Sequence, residues 1–129
     1  MQHSYKAAWH IIGGKRNFYR SGWEANYAYY LELLKNKGQI TEWQHEVRED
    51  EFWFLNIKRG VRSYLPDFKI TNPDNSIEYH EVKGRMDAQS KTKIKRMAKY
   101  YPKVKLVVID AKMYKSIEKT MKLIIKEWI

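Results

Sequence analysis

The chain has no cysteine. That excludes disulfides and thiolate metal sites. It has three prolines and six glycines in 129 residues, so breaks in regular structure are few and identifiable. No run approaches the roughly 20 apolar residues of a membrane-spanning helix. The sequence opens on Met1 without an apolar signal segment. A cytoplasmic chain with no membrane partner is the simplest expectation. There is no internal repeat, linker or low-complexity tract. The length fits one domain over 1–129, large enough for a real core.

What the chain does have is charge and aromatic rings. Its formal net charge is +10, with ten Tyr, five Trp and four Phe. The charge is lopsided. Residues 1–84 hold 12 Lys/Arg against 11 Asp/Glu, whereas residues 85–129 hold 13 against 4. A basic half joined to a near-neutral half points to a polyanion partner, most often nucleic acid. The rings suit base stacking and, equally, an ordinary aromatic core.

Residues 1–20 read as an irregular arm interrupted by Gly13-Gly14. Lys6, His10, Lys15, Arg16 and Arg20 interleave there with Tyr5, Trp9, Phe18 and Tyr19. Such an arm can lie along a phosphate backbone or form a loosely packed terminus. Ser21 and Glu24 make a capping box that opens a helix. Trp23, Tyr27, Tyr30, Leu31 and Leu34 form its buried stripe, and Asn36-Lys37-Gly38 ends it. Residues 40–47 and 52–57 read as strands joined by an acidic connection. Residues 64–70 and 77–83 are two more, joined by Asn72-Pro73-Asp74-Asn75-Ser76, a tract of turn formers. These four predict a mostly antiparallel meander.

A second helix fits 88–101, with Ile94, Met97, Ala98 and Tyr101 inward and Pro102 stopping it. Residues 105–110 form a buried strand reached by a crossover, parallel to the strand before it. A third helix fits 113–128, apolar along Met113, Ile117, Met121, Ile124, Ile125 and Trp128. The order helix, four strands, helix, strand, helix predicts an α/β (α+β) fold, a mixed central sheet of about five strands with helices on its faces. Its parts are the arm 1–20, a core over 21–110 and a C-terminal helix in 111–129.

The chemistry gathers on the hairpin of the third and fourth strands. If it folds symmetrically about Asp74, position 67 lies opposite position 81. Alternation puts Glu81 and Lys83 on one face, and cross-strand pairing brings Asp67 to it. Asp67 interrupts an apolar strand between Pro66 and Phe68. Burying a carboxylate there costs free energy unless a cation or hydrogen bonds answer it. Gly84 would let a ligand or another backbone approach closely. Two carboxylates and an ammonium on one patch suit metal-dependent hydrolysis, although D…ExK spacing also describes solvated strands. His3, His10, His45 and His80 show no paired metal spacing and read as structural, with His80 facing away from Glu81. Glu46 could join the site but reads as a solvated edge position.

Pro66-Asp67, followed after the turn by Glu81-Val82-Lys83, resembles the signature of the PD-(D/E)xK nuclease superfamily. An acid-bearing helix precedes these strands, and a helix and a buried strand follow. Over about residues 17–110 the layout is similar to small phage-encoded endonucleases, Holliday-junction resolvases and TnsA-type transposon end-cleaving nucleases. The resemblance implies a restriction-endonuclease-like fold and Mg²⁺- or Mn²⁺-dependent hydrolysis of phosphodiesters in duplex or branched DNA, in the host cytoplasm if phage-encoded. It implies that Asp67 and Glu81 are metal ligands offering hard oxygens, joined by the Val82 carbonyl and by Glu24. Lys83 would orient or deprotonate the attacking water and offset phosphate charge. Glu24 also serves its capping box, and a carboxylate on a metal caps poorly. Lys91, Lys93, Lys95, Arg96 and Lys99 on the second helix are candidate phosphate contacts. Gln89 at its start, with Arg62 and Lys69 beside the first catalytic strand, completes that set. A charged helix face is also commonly just solvated.

Two readings of other classes stay open. A non-catalytic nucleic-acid-binding module would use the same fold and its lysine stripes, but the complete set of Asp67, Glu81 and Lys83 favours the enzyme. A protein-interaction domain would use the last helix, whose Trp128 and Ile129 could pack on a second copy. Cutting two strands needs two sites, which suits a homodimer.

Overall fold

The computed structural model describes residues 6–129. His3 and Tyr5 of the expected arm lie outside the described residues. The chain runs β1 (Ala8–Ile12), β2 (Lys15–Tyr19), α1 (Gly22–Asn36), β3 (Glu42–His45), β4 (Phe52–Trp53), β5 (Ser63–Tyr64), β6 (Phe68–Thr71), β7 (Ile77–Val82), α2 (Ala88–Tyr100), β8 (Lys105–Ile109) and α3 (Ala111–Ile124). The architecture is mixed α+β. Among the described residues no helix is long and apolar enough to cross a membrane.

The main sheet has four strands in the order β3-β6-β7-β8. β6 is antiparallel to β3 and to β7, and β8 returns through α2 to lie parallel to β7. Phe68 pairs with His80 and Thr71 with Ile77, the register that a turn about Asp74 requires. Asn75 takes the left-handed backbone at φ 70, a conformation that asparagine tolerates better than most residues. Each helix opens on a side-chain cap. Ser21 Oγ accepts from the Glu24 N–H at 3.1 Å, Asp87 Oδ1 from Ser90 at 2.7 Å, and Asp110 Oδ1 from Met113 at 2.9 Å. Such caps contribute about 1 kcal/mol apiece.

Four expectations need correction. Within the expected arm, residues 8–19 are not irregular but form the β1–β2 hairpin. Gly13 and Gly14, at φ 59 and 77, make the two-residue turn that matches strand twist, and Ile12 and Tyr19 are buried. The strand expected over 52–57 is only Phe52–Trp53, since the chain turns at Asn56 (φ 65) and again at Gly60 (φ 76). It pairs with β5 in a separate two-stranded sheet. The main sheet therefore has four strands rather than about five. The last helix begins at Ala111 because Asp110, expected in the strand, is its cap, and it ends at Ile124. Its buried anchor is Tyr114, whereas Met113 and Ile124 are exposed.

The aromatic core covers one sheet face. Trp23, Tyr27 and Leu31 of α1 pack there with Trp43, Phe68, Ile70, Ile109, Tyr114 and the hairpin's Ile12 and Tyr19. The other face packs Phe54, Tyr64 and Met97, with Leu106 and Tyr101 around them. The Tyr114 ring stacks on Trp23 at 4.0 Å and touches Trp128 at 5.7 Å. Trp128 is thus engaged within its own chain. Asn26, on the buried face of α1, ties this corner together. Its Nδ2 donates to Tyr114 Oη at 2.9 Å and to the Ile129 carbonyl at 3.0 Å, and its Oδ1 accepts from the Ile129 N–H at 3.0 Å. Asn26→Ala strands these partners. It should destabilise the fold by about 2–3 kcal/mol in urea unfolding, whereas a loss near zero would show that water replaces the amide.

Candidate active site

Asp67 stands immediately before β6, and Glu81 is the penultimate residue of β7. The Phe68–His80 pairing, extended by one residue, sets them opposite each other. Main-chain groups lock the pair crosswise. The Asp67 N–H donates to Glu81 Oε1 at 3.2 Å, and the Val82 N–H donates to Asp67 Oδ2 at 2.9 Å. Tyr64 Oη also donates to Glu81 Oε1, at 2.7 Å. Lys83 continues the strand, its N–H donating to the Ile109 carbonyl at 2.9 Å. Alternation returns its side chain to the side of Glu81.

Glu24 arrives from the first turn of α1. Its N–H is the half of the capping box that forms. Its carboxylate turns to His45 instead, with Oε2 accepting from Nε2 at 2.5 Å. The acid therefore faces the sheet end and not its own helix cap. Glu46 follows β3 with a left-handed backbone, φ 45, which ends the strand's alternation and turns its carboxylate inward. Nitrogen and oxygen atoms of Glu24, His45 and Glu46 lie within 4.8 Å of one another.

Together these residues line a cleft of about 510 Å³ at the end of the sheet. Arg20, Glu24, Glu46, Asp67, Glu81, Val82, Lys83, Gly84 and Lys93 are among its walls. Glu24 and Asp67 are only 5 % and 4 % exposed. Burial, followed by the charges of Glu81 and Glu24, holds the Asp67 carboxyl well above the usual range, against the Val82 N–H and Arg20. Burial also raises Glu81, although the Tyr64 hydroxyl and the Lys83 charge oppose it. Arg20 partly answers this negative charge. Its guanidinium lies 2.8 Å from Glu46, 3.4 Å from Asp67 and 3.8 Å from Glu24.

This donor set fits a hard divalent cation. Glu24, Asp67 and Glu81 line the same cleft, two of them with raised affinity for protons, and each carboxylate keeps lone pairs beyond the hydrogen bonds it accepts. All-oxygen coordination suits Mg²⁺, and Mn²⁺ tolerates a nitrogen donor such as His45 better. Glu24, Asp67, Glu81 and Lys83 thus reach one cleft, the last three as strand alternation suggested and Glu24 as the resemblance implied. Val82 lines it too, and its observed contact with Asp67 is through the N–H.

The expected phosphate contacts are dispersed. Lys93 lines the cleft, while Gln89, Lys91, Lys95 and Lys99 are exposed on α2 away from it. Arg96 instead donates to the Val61 carbonyl, and Arg62 to the Lys58 carbonyl at 2.7 Å. Lys69 pairs with Asp50 at 2.6 Å. His80 does face away from Glu81, between Tyr27 Oη and Glu78, each at 2.6 Å.

Sequence reasoning missed Arg20 and His45 and set Glu46 aside. Strand alternation correctly puts His45 beside Trp43 on the buried face, and a buried imidazole next to a helix acid was the available signal. Nothing local marks Glu46, because glutamate is not a residue that favours positive φ.

A protein family described as "Protein of unknown function (DUF1064)" matches residues 2–117. No curated protein and no solved structure matches the chain.

The raised Asp67 carboxyl has a thermodynamic consequence. An unfolded aspartate titrates near pH 4, so above that the folded chain holds the extra proton. Stability contributed by this site then falls as pH rises through the folded pKa, and levels off beyond it. In EDTA, Asp67→Asn should melt higher than wild type at pH 8, by roughly 4 °C or more, with the gap closing towards pH 4. Mg²⁺ or Mn²⁺ should raise the melting temperature of wild type more than that of Asp67→Asn. A wild type that melts higher than Asp67→Asn in EDTA at pH 8 would contradict the assignment.

Proposed function

We propose, for a chain that belongs to the DUF1064 family, the activity of a Mg²⁺- or Mn²⁺-dependent DNA endonuclease. The observation that carries the reading is the buried Asp67–Glu81 pair, locked crosswise by main-chain N–H groups in an open polar cleft. Structural ion pairs match carboxylates with cations. Here the acids outnumber the cations, Glu24, Glu46 and Asp67 sharing the Arg20 guanidinium with Lys83 and Lys93 at the rim, as expected of a functional site. The order α1, β3, β6, β7, α2, β8 supports a restriction-endonuclease-like topology, with an acid on the helix before the strands. The net charge of +10 supports a polyanionic substrate.

In this reading Asp67, Glu81 and Glu24 hold the cation, with His45 and Glu46 beside Glu24. When bound, a divalent ion supplies positive charge to the phosphoryl and leaving oxygens. Lys83 orients the attacking water and offsets charge on the phosphate. His45 fixes the Glu24 carboxylate through its 2.5 Å hydrogen bond. Lys93 and Arg20 bring two more cations to the strand's phosphates, Arg20 exchanging carboxylate partners for phosphate.

The purified protein should nick or cut DNA with Mg²⁺ or Mn²⁺ and not with EDTA. Asp67→Ala should abolish cutting while binding persists, and Lys83→Ala should lower kcat by about 10²–10⁴-fold. A panel of branched, duplex and single-stranded substrates identifies the preferred structure. Binding without cleavage on every substrate would favour the non-catalytic module, and equal cleavage by wild type and Asp67→Ala would sink the site assignment.

A further inference from the structure

The outer face of the β1–β2 hairpin carries side chains that neither the core nor the cleft uses. Its register pairs Trp9 with Phe18 and Ile11 with Arg16. Trp9 is 56 %, Phe18 42 % and Ile11 68 % exposed. The intervening residues anchor the ribbon. Ile12 and Tyr19 are buried, Lys15 bonds Glu42 at 2.7 Å and the Trp43 carbonyl, and His10 meets Tyr29 Oη at 3.1 Å. The outer rings therefore stand on a fixed base. The Arg16 guanidinium lies over the Trp9 ring at 4.1 Å, and Phe18 meets Trp9 edge-on at 5.5 Å.

The chemistry of this face selects its partner. Arg16 supplies the positive charge of this face, and residues 6–20 contain no carboxylate, so an anionic partner complements it. Aromatic rings beside a guanidinium accept unpaired bases and phosphate together, whereas paired bases in a duplex keep their faces stacked internally. The face also leads to the cleft. Arg20, in contact with Asp67 and Glu46, lies two residues past Phe18, about 7 Å of extended chain.

We infer that the Trp9–Arg16–Phe18 face binds a single-stranded segment of nucleic acid, bases against the rings and phosphate on Arg16. Delivery of that strand to the cleft rests on the nuclease reading, while binding itself does not. A substrate with an unpaired tail or gap beside the scissile position follows as the favoured class.

The test is fluorescence anisotropy in EDTA with a labelled 15-nucleotide single strand and a blunt hairpin duplex. Trp9→Ala and Phe18→Ala should each weaken single-strand binding about tenfold and change duplex binding less than twofold. Trp9→Phe keeps a ring and should retain most of the affinity, which separates stacking from misfolding. Arg16→Ala should reduce the salt dependence of single-strand binding by about 0.7 in slope. Unchanged affinity in both alanine variants, or equal loss on duplex and single strand, overturns the proposal. So does a wild-type dimer in sedimentation that Trp9→Ala converts to monomer, which would make this face a self-association surface. Strand binding that requires Trp9 and Phe18 without Mg²⁺-dependent cleavage overturns the nuclease reading and leaves this one standing. Cleavage with parental affinity in both alanine variants does the reverse.

Discussion

The crossed hydrogen bonds between Asp67 and Glu81 are the constraint on which the rest of the site depends. Each carboxylate accepts from a main-chain N–H at the other's position: Asp67 Oδ2 from Val82, and Glu81 Oε1 from Asp67 itself. That exchange is available only in one register of the β6–β7 hairpin, since a slip of one residue turns every side chain to the other face. The core secures the register from the opposite side, with Phe68 and Ile70 buried against α1 and Trp43. Packing on one face thus fixes two acids at the end of the other.

Acids so fixed oppose stability. Burial raises both carboxyls, the charges of Glu81 and Glu24 raise Asp67 further, and the surroundings supply only partial compensation. Tyr64 donates one hydrogen bond, and the Arg20 guanidinium, 65 % exposed, reaches in from solvent. A mobile, exposed cation is a weak counter-ion in water and is readily exchanged. The proposed nuclease would make use of that imbalance, because a site deficient in positive charge attracts a divalent ion, whose charge in turn favours a phosphate group.

The division between legible and illegible features follows the range of the forces involved. The Asp74-centred turn, the Ser21 cap, the Tyr27–Leu31 stripe and the parallel return of β8 come from spacing over a few residues. The sequence therefore announced them. The β1–β2 hairpin was also local, and its two-glycine turn was misread as a break because the basic, aromatic composition suggested an arm. Asp110 was assigned to a strand because it follows four apolar residues, although its side chain caps α3. The Phe52–Trp53 strand ends early because Asn56 accepts a left-handed backbone, which its apolar neighbours disguised.

By itself, the sequence determined the convergence of Asp67, Glu81 and Lys83, because alternation and a symmetric turn leave those side chains one common face. It also determined the excess of positive charge. Tertiary structure decided what surrounds them. Glu24 could serve its helix cap or the cleft, and only the approach of His45 across 21 residues of chain draws the carboxylate to the sheet. Glu46 enters through a backbone torsion that its residue type does not favour. Among the α2 cations, packing leaves Lys93 at the cleft and ties Arg96 to the Val61 carbonyl. Contacts between segments distant along the chain carry no local periodicity, and so the identity of the counter-charges around the acids emerged only in three dimensions.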